Sequence, residues 1–404
     1  MRPRPLMARG AALCLMILAG CGQPHRRNAV PQELAANAQI PGMPAVRAWG
    51  DAFSPDFQRD LIDSIRQEES ATPEVFQGAD PTINLLALSG GGSDGAYGAG
   101  LLCGWTQAGD RPRFKLVTGI STGSLIAPFA FLGPEYDARL KEVYTTLTTK
   151  DLVTAKPMLA VVGSDAMMDT TPLARMLEKY IDDSAIRAIA AEHAKGRRLF
   201  VGTTNLDTQR PVVWNMGAIA SVDRPEARRL FRQVLLASAS IPVAFSPQYV
   251  SVEAGGKTFD EMHVDGGTST EVFLYGPVIS PLAAGRELGL AKARRRPRVF
   301  IIRNTQINPE WQVVEGRLLP IAGRAVATLI KSQGIGDLYR IYGETQRDGV
   351  DYNLAFVPGD IKLERREAFD KEDMNKLFDA GFEAARKGYP WEKVPPALKL
   401  ASAP

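Results

Sequence analysis

From Asn84 onward the chain alternates short apolar runs with helical segments, and this alternation limits the fold more than any other feature. Asn84-Leu85-Leu86-Ala87-Leu88 reads as a strand, Ala96 to Trp105 as a helix, Phe114 to Thr118 as a second strand and Leu125 to Phe131 as a second helix. Arg198 to Thr203 and Pro211 to Trp214 flank a turn at Asp207-Thr208-Gln209. A helix at Arg228 to Ala237, a strand at Arg298 to Ile302, a helix at Leu319 to Tyr342, a strand at Tyr352 to Val357 and a helix at Lys371 to Lys387 follow. Strands that are apolar along their whole length are buried on both faces. Alternated with helices, they predict an α/β fold: a three-layer sandwich with a mostly parallel central sheet covered by helices on both faces.

No internal repeat or linker interrupts 75–390, which is expected to form one domain. Residues 22–50 carry scattered Pro, Gln, Asn and Ala without periodicity and read as a tether. Ser54-Pro55 then opens a helix with Phe57, Leu61, Ile62 and Ile65 on one face, so 21–74 is a tether with a docking helix and 391–404 a tail. The composition, 45% hydrophobic and 23% charged with a net charge of +3, is that of a globular protein. It lacks the basic stripe of a nucleic-acid binder, and no nucleic-acid partner is expected. The one dense basic cluster, Arg294 to Arg298, reads as a solvated turn. Three cysteines, Cys14, Cys21 and Cys103, show no CxxC spacing, so neither a zinc ribbon nor a disulfide framework is implied. Cys103 lies in an apolar helix and reads as buried.

Arg2, Arg4 and Arg9 precede the apolar run Ala11 to Leu18, too short to span a bilayer, and Leu18-Ala19-Gly20-Cys21 follows. This order predicts a secretory signal peptide over 1–20. Leu-Ala-Gly-Cys resembles the lipobox of bacterial lipoproteins, which implies a diacylglyceryl Cys21 as the mature terminus and attachment to the membrane through it. Gly22, where an Asp would signal inner-membrane retention, implies a bacterial envelope protein on the outer membrane, facing the periplasm.

Ser89-Gly90-Gly91-Gly92-Ser93-Asp94-Gly95 links a strand to a helix and allows three readings. GxGxxG suggests a dinucleotide loop, but the acidic Asp110 precedes the next strand instead of ending it. Gly91 to Gly95 also fits GxSxG around Ser93, but three glycines separate that serine from the strand end. The third reading is an oxyanion hole, in which consecutive glycines let backbone N–H groups converge on a negative oxygen.

Gly119-Ile120-Ser121-Thr122-Gly123 follows its strand directly and runs into a helix, the setting of a nucleophile elbow. Ser121 is the candidate nucleophile, and it needs a base. Downstream lie only His193, which reads as a solvated helix end, and His263, next to Val264-Asp265-Gly266-Gly267. His263 remains one option as base; the Asp265 carboxylate, exposed by its glycine turn, is the other.

These motifs together resemble those of the patatin-like phospholipases. The chain carries the Gly-rich loop Gly90-Gly91-Gly92 with Gly95, the elbow Gly119 to Gly123, the block Ala237-Ser238-Ala239-Ser240-Ile241-Pro242-Val243-Ala244-Phe245-Ser246-Pro247, and Asp265-Gly266-Gly267, in the family's order. Asp169 to Leu173 also resembles an intervening helix start of the family. The likeness is firm over about 84–270 and looser to about 390. It implies a patatin-like fold and a serine lipid acyl hydrolase with a Ser121–Asp265 dyad. It further implies an oxyanion hole from Gly90, Gly91, Gly92 and Thr122, and fatty-acyl esters of phospholipid or lysophospholipid as substrate. No metal, cofactor or protein partner is expected. The family often has Arg or Lys where this chain has Asp94, an anion that would oppose an oxyanion or a lipid phosphate. A lipid- or partner-binding lipoprotein without efficient turnover is therefore the alternative expectation. The apolar stretch Pro157 to Met168 is a candidate acyl channel or lid.

Overall fold

The computed structural model describes residues 28–71, 82–157, 164–289 and 296–399. The 1–20 signal, Cys21 and half of the Pro157–Met168 apolar stretch lie outside them.

Among these residues one large sheet runs in the order β1 (Arg47–Trp49), β7 (Arg210–Asn215), β6 (Arg198–Asn205), β3 (Leu116–Gly119), β2 (Thr82–Leu88), β10 (Arg296–Arg303), β11 (Asp351–Phe356). From β6 to β11 all neighbours are parallel; β7 and β1 extend the sheet antiparallel. A hairpin of β8 (Gln248–Ala254) and β9 (Lys257–Asp265) adds to the end of β6, pairing Thr203 with Asp265. Two short strands, β4 (Thr154–Ala155) and β5 (Met168–Asp169), pair apart from the sheet.

The longer helices are α1 (Pro55–Ala71), α2 (Gly95–Ala108), α3 (Thr122–Leu132), α4 (Asp137–Thr146), α5 (Thr171–Tyr180), α6 (Asp183–Ala194), α7 (Pro225–Ser238), α8 (Leu318–Asp348) and α9 (Lys371–Arg386). Because strand side chains alternate faces, each apolar strand feeds two cores. Leu86, Leu88, Val117, Phe300 and Ile302 join Tyr97 and Leu101 of α2 and Phe378 of α9 on one side. Leu85, Ala87, Leu116, Val299 and Ile301 join Phe57 of α1 with Leu338 and Ile341 of α8 on the other. This is the expected three-layer sandwich, and its mixed sheet is parallel at its centre. α2 and α9 meet backbone to backbone: a methyl group on Gly100 would sit 2.0 Å from the Phe378 carbonyl oxygen, and one on Gly381 2.2 Å from that of Tyr97.

Three expectations are corrected. Residues 28–50 are not a free tether: β1 pairs with β7, and Ile40, Met43 and Val46 are buried, because these scattered apolar side chains cover the edge of the core. The start of the expected 391–404 tail is also integral, since Leu354 bonds to Glu392 and the Trp391 ring lies 4.9 Å from those of Trp105 and Phe300. Arg296 to Arg298 belong to β10, not to a turn.

Candidate active site

The parallel strands end at one level, since β2 and β3 pair from Leu85↔Leu116 to Leu88↔Gly119. Ligands bind α/β sheets at such carboxyl ends. Here β2 delivers Gly90–Gly92, β3 delivers Ser121, and β9, pairing with β6, delivers Asp265.

Ser121 turns the chain between β3 and α3 with φ 52° and ψ −127°. A non-glycine residue at positive φ is costly and marks a site where the surroundings enforce it. The neighbours explain the two glycines. A methyl group on Gly119 would lie 2.5 Å from the Gly123 carbonyl oxygen, and one on Gly123 2.4 Å from that of Leu88. The Ser121 N–H donates to Ser238 Oγ at 3.0 Å, and that hydroxyl donates to the Gly202 carbonyl at 2.7 Å. The Ser121 carbonyl accepts from the Ser124 N–H at 2.8 Å and Ser124 Oγ at 2.7 Å.

Asp265 ends β9 and is 2% exposed. Its N–H donates to the Ser240 carbonyl at 2.9 Å, and its Oδ1 accepts the Gly267 N–H at 2.7 Å. Its Oδ2 is buried without a hydrogen-bond partner. Burial pushes the Asp265 carboxyl up to about 7, against the lowering influence of the Ser121 hydroxyl and the Gly267 N–H. The Ala237–Pro247 block thus has a structural reason: Ser238 fixes the elbow and Ser240 fixes Asp265.

His263 points elsewhere. It is fully buried, with Nδ1 2.9 Å from Thr203 Oγ1 and Nε2 3.1 Å from Glu261 Oε2, a carboxylate that Arg47 also holds. Burial lowers its pKa, with Glu261 opposing. Both ring nitrogens are engaged away from Ser121, which removes His263 as a base. His193 is not a solvated helix end as expected: its ring is half-buried against Gly217, and desolvation lowers its pKa to about 3. Ser93 falls inside a 3-10 turn, Gly92–Asp94, away from a strand end.

The glycine loop is narrower as a donor set than its sequence suggests. The Gly90 N–H donates to the Glu271 carbonyl at 3.2 Å, so it is already used. The Gly91 and Gly92 residues, at φ 151° and 57°, keep their N–H groups off the surrounding backbone. Thr122 opens α3, where an N–H has no intrahelical acceptor. Its Oγ1 lies 2.6 Å from Tyr144 OH. Gly95 must be glycine because a methyl group there would meet Thr122 Oγ1 at 2.2 Å. Gly266 and Gly267 are likewise confined, by the Gly202 carbonyl at 2.7 Å and a Glu271 carboxylate oxygen at 2.5 Å.

Three contributors were not singled out from the sequence. Arg365 holds Asp94 through two hydrogen bonds, Nη1 to Oδ1 at 2.7 Å and Nη2 to Oδ2 at 2.8 Å. Burial raises the Asp94 pKa and Arg365 opposes that rise, so the anion beside the loop is paired. Glu271 is wedged between the glycine loop and the Asp-Gly-Gly turn: a methyl group on Gly90 would come within 2.7 Å of its carboxylate. Burial raises the Glu271 pKa well above normal, Asp265 adds to this, and the buried Arg303 opposes it. Tyr144 is the third, through its bond to Thr122. None has a local sequence signal: Arg365 and Tyr144 reach the site from other elements, and Glu271, only six residues after Asp265, meets the glycine loop from far along the chain.

A cavity of about 550 Å³ opens behind the elbow, lined by Ile120, Gly202, Gly266, Phe273 and Arg340 among others, but neither Ser121 nor Asp265 lines it. Cys103 is buried and its thiol is pushed up to about 12 by burial, as expected of a structural cysteine.

Among solved structures, VipD from Legionella pneumophila is similar at 11% identity, covering 76% of this chain and 67% of that one with a TM-score of 0.32. The SpcU–ExoU complex of the Pseudomonas aeruginosa type III secretion system matches at 14% identity over 76% and 52%, TM-score 0.34. Human GIVD cytosolic phospholipase A2 matches at 10% identity over 85% and 66%, TM-score 0.34. The chain thus spans between 52% and 67% of the length of these proteins. No curated protein matches the chain. The family model described as patatin-like phospholipase matches residues 86–275, the segment from β2 through the elbow and the Asp-Gly-Gly turn to Tyr275. Residues 86–275 of this chain are a patatin-like phospholipase domain.

Proposed function

We propose that the chain is a serine lipid acyl hydrolase that cleaves fatty-acyl esters of phospholipid or lysophospholipid, with Ser121 as nucleophile and Asp265 as its base. One observation carries this reading. A serine held at φ 52° on a strand-to-helix turn faces a fully buried carboxyl whose pKa is raised to about 7 and whose second oxygen is unpartnered. A base works best with a pKa near the working pH.

Asp265 takes the Ser121 hydroxyl proton as Oγ bonds to the ester carbonyl carbon. The N–H groups of Gly91, Gly92 and Thr122 hold the resulting oxyanion, with Gly90 left out because its N–H serves Glu271. Collapse expels the alcohol, which receives the proton from Asp265. Water then attacks the acyl-Ser121, giving its proton to Asp265 and releasing the fatty acid as that proton returns to Ser121. The Arg365 partner of Asp94 supports turnover over the binding-only alternative, since the anion is balanced before any lipid arrives.

Labelling by a fluorophosphonate tests the reading: the wild type should react and Ser121→Ala should not. Labelling lost only in Ser93→Ala would move the nucleophile, and a folded protein that never labels would refute the hydrolase. We also propose that Cys21 carries the lipid that tethers the chain to the outer membrane, on its periplasmic side. Metabolic incorporation of labelled palmitate, lost in Cys21→Ser, is the expected result.

A further inference from the structure

Seven of the twelve large apolar side chains that stand exposed among the described residues fall within 311–329. Trp311 is 88% exposed and Leu318 81%. At about 100° per residue, Leu318, Ile321, Ala325 and Leu329 share an arc of about 80° on α8. All four face solvent, so this half of the helix turns its apolar stripe outward. Arg317, Arg324 and Lys331, spaced by seven, run along one border of that stripe.

The loop before the helix is pinned to this border. Arg324 Nη1 donates to Gln312 Oε1 at 3.2 Å and Lys331 Nζ to Glu310 Oε1 at 2.8 Å. Trp311 sits between those two anchors. Against the three basic residues stand only Glu310 and Glu315, so the segment keeps a positive excess.

The other half of α8 is bonded to the candidate site. Gln333 donates to the Ser269 carbonyl, and Asp337 Oδ2 accepts the N–H groups of Glu271 at 2.7 Å and Val272 at 3.2 Å. Leu329 lies about one helical turn, ~6 Å, from Gln333. No helix among the described residues is long and apolar enough to cross a membrane. A one-sided apolar stripe with a basic border and an exposed tryptophan is instead the pattern of a helix lying in the lipid–water interface.

We infer that the exposed N-terminal half of α8, with Trp311, docks on an anionic lipid bilayer, its apolar stripe entering the headgroup–acyl boundary and its basic border meeting the headgroups. The inference takes its purpose from the lipid-hydrolase reading, but its geometry stands apart from it. Docking through this helix would bring the bilayer next to the turn that carries Asp265.

The test is flotation of the full chain, carrying Cys21→Ser so that acylation supplies no anchor, with vesicles of phosphatidylcholine alone or mixed with phosphatidylglycerol. The expected result is binding to the mixed vesicles that falls about tenfold or more in a Leu318→Glu/Ile321→Glu/Leu329→Glu variant. Phe53→Glu, an exposed apolar control elsewhere, and Ser121→Ala should both bind like the parent. Hydrolysis of a water-soluble short-chain ester should stay within about twofold in the triple variant, since none of its three sites touches Ser121 or Asp265. Unchanged vesicle binding in the triple variant overturns the inference. So does a dimer in sedimentation that the triple variant dissociates, which would assign the stripe to a second copy of the chain. Stripe-dependent vesicle binding by a protein that neither labels with fluorophosphonate nor cleaves the ester would retain the docking and refute the hydrolase.

Discussion

Arg365 grips the buried Asp94 carboxylate with two parallel hydrogen bonds at 2.7 and 2.8 Å, one residue before the helix that follows the glycine loop. Arg365 itself holds a positive φ of 50°, with its N–H on Asp373 Oδ2 at 2.7 Å. The pair joins the segment before α9 to the oxyanion loop.

Removing the cation should therefore cost more than removing the pair. Arg365→Met leaves Asp94 buried and unpaired, and is expected to lose roughly 1–3 kcal/mol, less than a fully buried pair because Arg365 is 44% exposed. The double variant Asp94→Asn/Arg365→Met should recover most of that loss in urea unfolding. Equal destabilisation in single and double variants would show that the pair is not coupled.

Ser238 is expected to matter to turnover although it touches no reacting atom in the proposed cycle. Its hydroxyl ties the Ser121 N–H to the Gly202 carbonyl. Ser238→Ala orphans both groups, with a cost of about 1–3 kcal/mol. It should slow fluorophosphonate labelling of Ser121 with little change in KM for a soluble ester. A labelling rate equal to wild type would place the elbow's rigidity elsewhere.

Asp265 links activity and stability to pH in opposite directions. The base must be ionised, so kcat/KM should fall as pH drops below about 7. Stability behaves otherwise. The folded-state pKa lies above the usual 3.8, so the native state holds the proton more tightly than the unfolded chain. That contribution is complete below 3.8 and is lost as pH rises to about 7. Asp265→Asn escapes the loss, so its stability advantage should grow by a few kcal/mol between pH 5 and pH 8 while activity disappears. Full esterase turnover in Asp265→Asn would refute the dyad.

Glu271 gives a contrasting expectation. Burial raises its pKa well above normal and the neighbouring Asp265 adds to that rise, which favours the neutral form. Glu271→Gln imitates that neutral form, and the acid limb of the pH–rate profile should stay near pH 7. A limb displaced downward by more than about half a unit would mean that Glu271 is an anion in the working range and repels Asp265.

Much of this site was legible because it is made of short motifs whose glycines have local reasons. Gly119 and Gly123 sit where the turn of Ser121 forces backbone against backbone, and that requirement is written in five consecutive residues. Residues 28–50 were misread for the opposite reason. Ile40, Met43 and Val46 have no period of their own, and they are buried only because β7 and the core beneath it are there to receive them. The hairpin β8–β9 was unread for a similar reason, since its pairing with β6 is a long-range choice. Asp94 looked adverse while its partner lay 271 residues away.

The sequence by itself determined the layered α/β architecture and Ser121 as the elbow residue, because strand periodicity and glycine spacing are local properties. It left the base open between His263 and Asp265. Only the tertiary structure decided that His263 is spent on Thr203 and Glu261, that Asp265 lies buried with a free oxygen, and that Arg365 balances Asp94. Ionisation and hydrogen bonding depend on what surrounds a group in space, and here those surroundings come from strands and loops far apart in the chain.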